Sequence, residues 1–130
     1  KGAKSDLRKP WYELFYDGDF NKPMAHTPTT ASHTALEMVR LAPSASNKQP
    51  WRIVQAGEYF HFYLSRTPGY GNSTNNIDLQ HVDMGIAMSH FELTCRETGI
   101  NGNWEVMENG ISVKEGTAYI VSWVQRPSAT

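Results

Sequence analysis

The sequence predicts an α+β fold in which a mainly antiparallel sheet packs on a long central helix, and three observations carry that prediction. Aromatic and β-branched residues fill two short runs, Trp51 to Val54 and Tyr59 to Ser65, on either side of Gly57-Glu58. A stretch from about Asp78 to Thr98 repeats its apolar residues with helical spacing. Further strand-like runs follow it, at Trp104 to Glu108, Ile111 to Val113 and Thr117 to Val124. A chain of 130 residues, 39% of them hydrophobic, is long enough for one core of modest size and too short for two.

Residues 1–31 scatter Trp11, Tyr12, Leu14, Phe15, Tyr16 and Phe20 among charges and prolines without a helical or strand period. They are expected to form an arm whose aromatics pack onto another surface. Residues 32–130 are expected to form the domain proper. From Ser32 to Ala42, the residues Ala35, Leu36, Val39 and Ala42 share one face, which predicts a short amphipathic helix. Pro43 lacks an amide hydrogen and disfavours helical geometry at Ala42, so the helix should stop there and give way to a loop.

Gly57-Glu58 suits a II′ turn with glycine first, so the two aromatic runs should form a β-hairpin. In its second run Phe60, Phe62 and Leu64 alternate with Tyr59, His61 and Tyr63, and both faces are expected to be covered. Residues 66–76 hold Pro68, Gly69 and Gly71 among Asn and Ser, which is loop chemistry. The long helix carries two apolar stripes, one of Leu79, Val82, Ile86 and Leu93, the other of Met84, Ala87, Met88, Phe91 and Cys95. Such a helix is expected to be packed from two sides, and a stripe left uncovered predicts self-association. Gly99 ends the helix with the residue that takes a left-handed cap most cheaply. The pair Asn109-Gly110 predicts a hairpin turn between the strands on either side of it.

Composition narrows the function. The 12 Lys and Arg residues nearly balance the 13 Asp and Glu residues and are scattered, so nucleic acid is not an expected partner. No apolar run approaches the roughly 20 residues needed to cross a bilayer, and no secretory signal opens the chain, which predicts a cytoplasmic protein with no membrane partner. The single cysteine, Cys95, lies among Met88, Phe91 and Leu93 and is expected to be a buried, unreactive thiol. His26, His33, His61, His81 and His90 show no metal-ligand spacing, so no metal is expected. Asp78, Asp83 and Glu92 fit polar edges of the central helix rather than an acid/base pair, and Gly69-Tyr70-Gly71 is too short for a phosphate loop. The chain opens on Lys1-Gly2-Ala3-Lys4, which looks like the interior of a longer protein.

One stretch carries chemistry: Ala42-Pro43-Ser44-Ala45-Ser46-Asn47-Lys48-Gln49-Pro50-Trp51-Arg52. It offers a helix end, two hydroxyls, amides that donate and accept, and short side chains that let backbone approach a planar ring. Residue types alone favour a capped turn, since Ser, Asn and Pro are common turn residues. The ordered pattern decides between them. The stretch resembles the helix-to-strand loop of the nitroreductase family, Ala-Pro-Ser-Ser/Ala-x-Asn-x-Gln-Pro-Trp, at every fixed position. Ile77 to Ala87 and Glu97-Thr98-Gly99-Ile100 look like that family's long core helix and its exit. Arg8-Lys9-Pro10, Glu13-Leu14-Phe15, Phe20 and Pro23 look like the TM nitroreductase subgroup, whose longer chains carry two related halves that imitate a homodimer.

The resemblance implies a flavoprotein in which FMN sits at a two-fold interface. NADH or NADPH donates hydride, and a small-molecule acceptor such as a nitroaromatic or quinone is reduced. It assigns Pro43, Ser44, Ala45, Asn47 and Gln49 to flavin contact, with Trp51 as packing beneath the loop and no catalytic side chain; Arg52 fits electrostatic support of the flavin or an exposed strand charge equally well. It makes this chain the second half of a longer one, with the arm packed on a partner half, or else one copy of a homodimer. The family's Arg-Arg-Ser-x-Arg phosphate grip is absent, so half of the site should come from elsewhere. The competing reading is a cofactor-free dimerisation or ligand-binding domain that has lost that grip. A related enzyme that consumes flavin would need a lid that the sequence does not display.

Overall fold

The computed structural model describes residues 8–25, 30–44, 47–66 and 79–126. Its elements are α1 (Trp11–Leu14), β1 (Phe15–Asp17), α2 (Ala31–Arg40), β2 (Trp51–Ala56), β3 (Tyr59–Ser65), α3 (Leu79–Glu97), β4 (Asn101–Glu105) and β5 (Thr117–Arg126). The five strands form one sheet in the order β1-β2-β3-β5-β4. Only β1 and β2 run parallel; the other three pairings are antiparallel. The fold is therefore α+β and mainly antiparallel, as the sequence predicts.

The hairpin forms where the turn residues place it. Ala56 pairs with Tyr59 across Gly57-Glu58, and Gly57 takes a φ of +62°, which costs glycine little. β3 lies at the centre of the sheet, and Phe60, His61, Phe62, Tyr63 and Leu64 are all buried. Because strand side chains alternate, Phe60, Phe62 and Leu64 enter the core beneath α3 while His61 and Tyr63 point to the opposite face. Both faces are covered.

In α2, Thr30 is the N-cap and its hydroxyl accepts from the amide of His33 at 3.2 Å. Ala35, Leu36, Val39 and Ala42 are buried together, and the helix gives way at Leu41, before Pro43. In α3 the stripe of Met84, Ala87, Phe91 and Cys95 packs into the core. Phe91 is its centre, with ring centroids 5.1 Å from Phe60, 5.3 Å from Phe62 and 5.8 Å from Trp123. Burial pushes the Cys95 thiol up to about 12, so the thiolate that reacts is not formed near neutral pH.

The other stripe of α3 is only partly packed: Ile86 lies against the core while its other members face outward. Leu79, Val82 and Leu93 are 38%, 53% and 61% exposed, and Ile86 is half-buried. Among the described residues, Leu79, Val82 and Leu93 are therefore left largely uncovered, because the sheet and α2 meet chiefly the other side of the helix. Of the arm's aromatics, Trp11 and Phe15 enter the core beneath α3, Tyr16 and Phe20 join Val54 and Tyr63 on the far face, and Tyr12 is exposed. His26, residues 67–76 with Gly69-Tyr70-Gly71, and Asp78 lie outside the described residues.

The region after α3 departs from expectation. β4 occupies Asn101–Glu105 rather than Trp104 to Glu108, and residues 106–116, including the expected strand Ile111 to Val113, form a loop. Asn109-Gly110 does not close a two-residue hairpin: Gly110 has a φ of +72°, but Asn109 does not share the positive φ a I′ turn requires. Instead Asn109 Oδ1 accepts from the amide of Ile111 at 2.9 Å and from the Tyr63 hydroxyl at 3.2 Å. Tertiary contacts to the far face of the sheet override the local turn preference.

Gly102 on β4 shows how closely the sheet edge is fitted. A Cβ there would stand 2.5 Å from the Trp123 ring, which is fully buried and packs 5.0 Å from Trp104. Gly102→Ala should therefore destabilise the fold by about 1–3 kcal/mol through overpacking. Gly85→Ala, on an open face of α3 with nothing within 4 Å, should stabilise it by roughly 0.5–1 kcal/mol through helix propensity. Urea unfolding of both variants checks the opposite signs.

Candidate functional site

The motif loop hangs between two fixed ends. At one end α2 closes with the amides of Leu41 and Ala42 bonded to the carbonyls of Glu37 and Val39, each at 3.0 Å. At the other, Trp51 opens β2 with no exposed surface and packs in the core, the packing role the sequence gives it. Between them the backbone turns through two left-handed residues, Asn47 at φ 55° and Gln49 at φ 48°. Asn tolerates this region and Gln pays about 1–2 kcal/mol for it, so the turn must be held by bonds.

Those bonds converge on Gln49, which is buried. Its amide hydrogen is donated to Ser44 Oγ at 2.9 Å, its Nε2 donates to the carbonyl and to Oδ1 of Asn47, each at 3.0 Å, and its Oε1 accepts from the Lys9 amide at 2.7 Å. Asn47 adds a bond from its own amide to the Ser44 carbonyl at 3.0 Å. Arg52 folds back on the loop, its Nη1 donating to the carbonyls of Gln49 and Trp51 at 2.8 and 2.7 Å. Burial lowers the Arg52 pKa from its usual value, and Tyr16 and Glu13 oppose that shift.

The structure thus brings Ser44, Asn47, Gln49 and Arg52 into one network; Pro43 is exposed at its edge, and Ala45 lies outside the described residues. Their roles differ in geometry. Gln49 turns its side chain inward as the latch of the loop. Ser44 keeps its hydroxyl proton and Asn47 keeps its Nδ2 hydrogens, neither bonded to a described residue. Those two donors, with the remaining nitrogens of Arg52, are the polar groups the loop can offer a ligand.

The sequence missed who completes the network. Arg8 reaches across from the arm, donating to Asn47 Oδ1 at 3.2 Å and to the Leu41 carbonyl at 3.0 Å, and Arg40 donates to the Lys9 carbonyl at 3.3 Å. Arg40 is itself held by Glu37 at 2.9 Å, and Trp11 Nε1 donates to the same carboxylate at 2.8 Å. The loop is therefore ringed by Arg8, Lys9, Arg40 and Arg52, with Lys9 paired to Glu13 at 3.3 Å and Arg40 to Glu37, a cluster of charges that the scattered Lys and Arg positions did not announce. The sequence carries one signal of it, the adjacent basic pair Arg8-Lys9 in the arm.

Three clefts among the described residues lie away from the loop, on the opposite face of the sheet and beside β1. No described cluster of three His, Cys, Asp or Glu side chains is arranged to hold a metal, and no described helix is long and apolar enough to cross a membrane. Removing the latch tests whether the loop is rigid by construction. Gln49→Ala should cost about 1–3 kcal/mol, the penalty for orphaning buried partners, and raise amide exchange across residues 44–50 before it affects β3. Hydrogen exchange with mass spectrometry reads both.

Comparison with known proteins places this geometry in a family. The model of the family described as "Putative TM nitroreductase" matches residues 20–95, which include the whole motif loop and most of α3. A "putative nitroreductase" from Thermotoga maritima MSB8 is 25% identical, with a TM-score of 0.57 over 92% of this chain. This chain spans 42% of that protein's length. Nitroreductase family proteins from Clostridium difficile 630 and Clostridium novyi NT share the fold at 15% and 12% identity, with TM-scores of 0.64 and 0.61. Each is matched over 96% of this chain and over 83% and 85% of its own length, respectively. No curated protein matches the sequence. With more than half of its residues, the motif loop among them, under that one family model, this chain belongs to the TM nitroreductase family of oxidoreductases.

Proposed function

We propose that this chain supplies the isoalloxazine-facing loop of an FMN-dependent NAD(P)H oxidoreductase that reduces nitroaromatic, quinone or similar small acceptors in the cytoplasm. The observation that carries the reading is the motif loop itself: a latched turn in which the Ser44 hydroxyl proton, the Asn47 Nδ2 and part of the Arg52 guanidinium have no hydrogen-bond partner among the described residues. A planar, electron-poor ring with carbonyl and nitrogen acceptors along its edges fits such a donor set. The cations around the loop fit the negative charge that a reduced flavin and its phosphate bring.

When bound, FMN supplies the chemistry of accepting hydride from the nicotinamide and passing electrons on. The chain's own part is positioning. Asn47 and Ser44 donate hydrogen bonds that fix the ring, and Gln49 keeps their geometry by holding the turn from within. Arg52, already folded over the loop carbonyls, holds positive charge where charge develops. Pro43 and Ala45 complete the loop's contact surface in this reading.

The same reading assigns the exposed stripe of α3 to pairing, with a second copy or with a preceding half of a longer chain. Leu79, Val82 and Leu93 on one helix make an apolar surface that a partner would cover. The span of 42% of the Thermotoga protein accords with a longer chain that carries its own partner half.

The direct test is flavin retention. FMN is mixed with the chain, the excess is removed on a desalting column, and visible absorption is recorded beside that of a longer protein carrying a preceding half. Retained flavin supports the site; flavin in neither sample sinks it and favours the cofactor-free domain. Asn47→Asp keeps the Oδ1 that Arg8 and Gln49 use but removes the Nδ2 donor, and should weaken FMN at least about tenfold by fluorescence titration. Unchanged affinity would remove Asn47 from the site.

A further inference from the structure

The donors that the motif loop offers depend on which way two side-chain amides are turned. The oxygen and nitrogen of an Asn or Gln amide have nearly the same shape, so their partners decide the orientation. Here the partners have no choice of role. The Lys9 backbone N–H can only donate, and it lies 2.7 Å from Gln49 Oε1. The Asn47 backbone carbonyl can only accept, and it lies 3.0 Å from Gln49 Nε2. Both ends of the Gln49 amide are therefore set, and Nε2 also donates to Asn47 Oδ1 at 3.0 Å. A guanidinium likewise only donates, and Arg8 Nη1 lies 3.2 Å from that same Oδ1. Turning the Asn47 amide over would set its nitrogen against two donors. Asn47 Oδ1 thus faces Arg8 and Gln49, while the Nδ2 of this half-buried residue has no hydrogen-bond partner among the described residues.

The outside constraints on both amides come from the arm, at residues 8 and 9. Arg8 does more than touch Asn47. Its Nη2 donates to the carbonyl of Leu41, the C-cap of α2, at 3.0 Å. With one nitrogen held there, the planar guanidinium fixes where the other stands. Arg8 therefore spans the loop from the end of α2 to Asn47, 39 positions away in sequence. A lysine would keep the charge but would replace the rigid fork with a single ammonium nitrogen on a flexible stem.

We propose that Arg8 is a positioning residue of the flavin site: it acts through Asn47, holding that side chain so that the loop meets an acceptor atom of the ligand with the Nδ2 donor. The proposal rests on the flavin reading of the loop and adds to it that the polarity of the site is set by the arm. Arg8 need not touch the ligand for this role.

Two measurements test it. In the ligand-free chain, side-chain amide hydrogen exchange followed by NMR should show the Gln49 Nε2 hydrogens protected at least about tenfold over those of Asn47 Nδ2. Protected Asn47 hydrogens, or equal exchange of the two amides, would overturn the orientation and the proposal with it. The second measurement is FMN affinity, by fluorescence titration of the protein that retains FMN. Arg8→Lys keeps the positive charge and should still weaken FMN about fivefold. Affinity equal to that of the unaltered protein would reduce Arg8 to a charge and overturn the proposal. In an Asn47→Gly background, where glycine accepts the φ of 55°, Arg8→Lys should change affinity by less than about twofold. An undiminished loss there would mean that Arg8 acts on the fold or on the ligand directly, which also overturns it. If FMN binds to no form of the protein, the flavin reading fails and takes this role with it, and the exchange pattern then separates a wrong ligand from a wrong orientation.

Discussion

The burial of β3 on both faces is the constraint on which the other elements depend. Five consecutive residues, Phe60 to Leu64, lose nearly all contact with water, so something must cover each side of a strand that already has neighbours along both edges. α3 covers one side, led by Phe91 and Met84. The other is covered by Tyr16 and Phe20 from the arm, by Ile111 of the long loop and by Tyr119 of β5. Alternation forces polar His61 and Tyr63 to that second side, where each must find a partner or forfeit roughly 1–3 kcal/mol. Ser122 and Asn109 supply those partners. Asn109 is thereby drawn out of the hairpin its sequence favours, and an expected strand becomes a loop.

The motif loop inherits its rigidity from the same sheet. β2 is held against β3 over its whole length and anchored by Trp51, so the end of the loop cannot drift. The other end is set where Pro43 forbids α2 to continue. A connection this short between two fixed ends has few ways to close, and here it closes through two left-handed non-glycine residues. The cost is local and the compensation is not: Gln49 is bound by Lys9 and Asn47 by Arg8, forty and thirty-nine positions away. Backbone strain held by long-range bonds is a common property of ligand-contacting loops, because a turn stable by itself would need no such support.

The sequence displayed what is local and periodic. The α2 face of Ala35, Leu36, Val39 and Ala42, the Gly57 turn, the hairpin and the extent of α3 could all be read from spacing, and the place of the motif followed from Pro43. Hidden were the features decided by distant partners. β1 is three residues long and parallel to β2, too short to show a period, and its pairing depends on a strand some forty positions onward. The convergence of Arg8 and Arg40 on the loop has no spacing signature at all. The inward turn of Gln49 is likewise invisible in a motif, where a latch and a ligand contact are the same letter. The two stripes of α3 were legible, but the sequence could not say that Leu79, Val82 and Leu93 of one of them stay largely uncovered among the described residues.

That uncovered stripe bears on the proposed function through magnitude. Fully burying a Val or Leu side chain contributes about 1.5–3 kcal/mol, so covering Leu79, Val82 and Leu93 from their present half-exposure would contribute on the order of 2–5 kcal/mol. Bringing two bodies together costs about 4–15 kcal/mol in lost freedom. The stripe by itself is therefore too weak to hold a stable pair, and a pairing surface has to recruit further contacts. A half joined on the same chain reduces that cost by raising the effective concentration. A cofactor bound across the interface adds contacts to the paired state alone, and by linkage its affinity and the pairing must then strengthen each other. In the proposed reading, cofactor binding and pairing are thus two sides of one equilibrium, and the incomplete donor set of the motif loop and the bare stripe of α3 express the same unsatisfied interface.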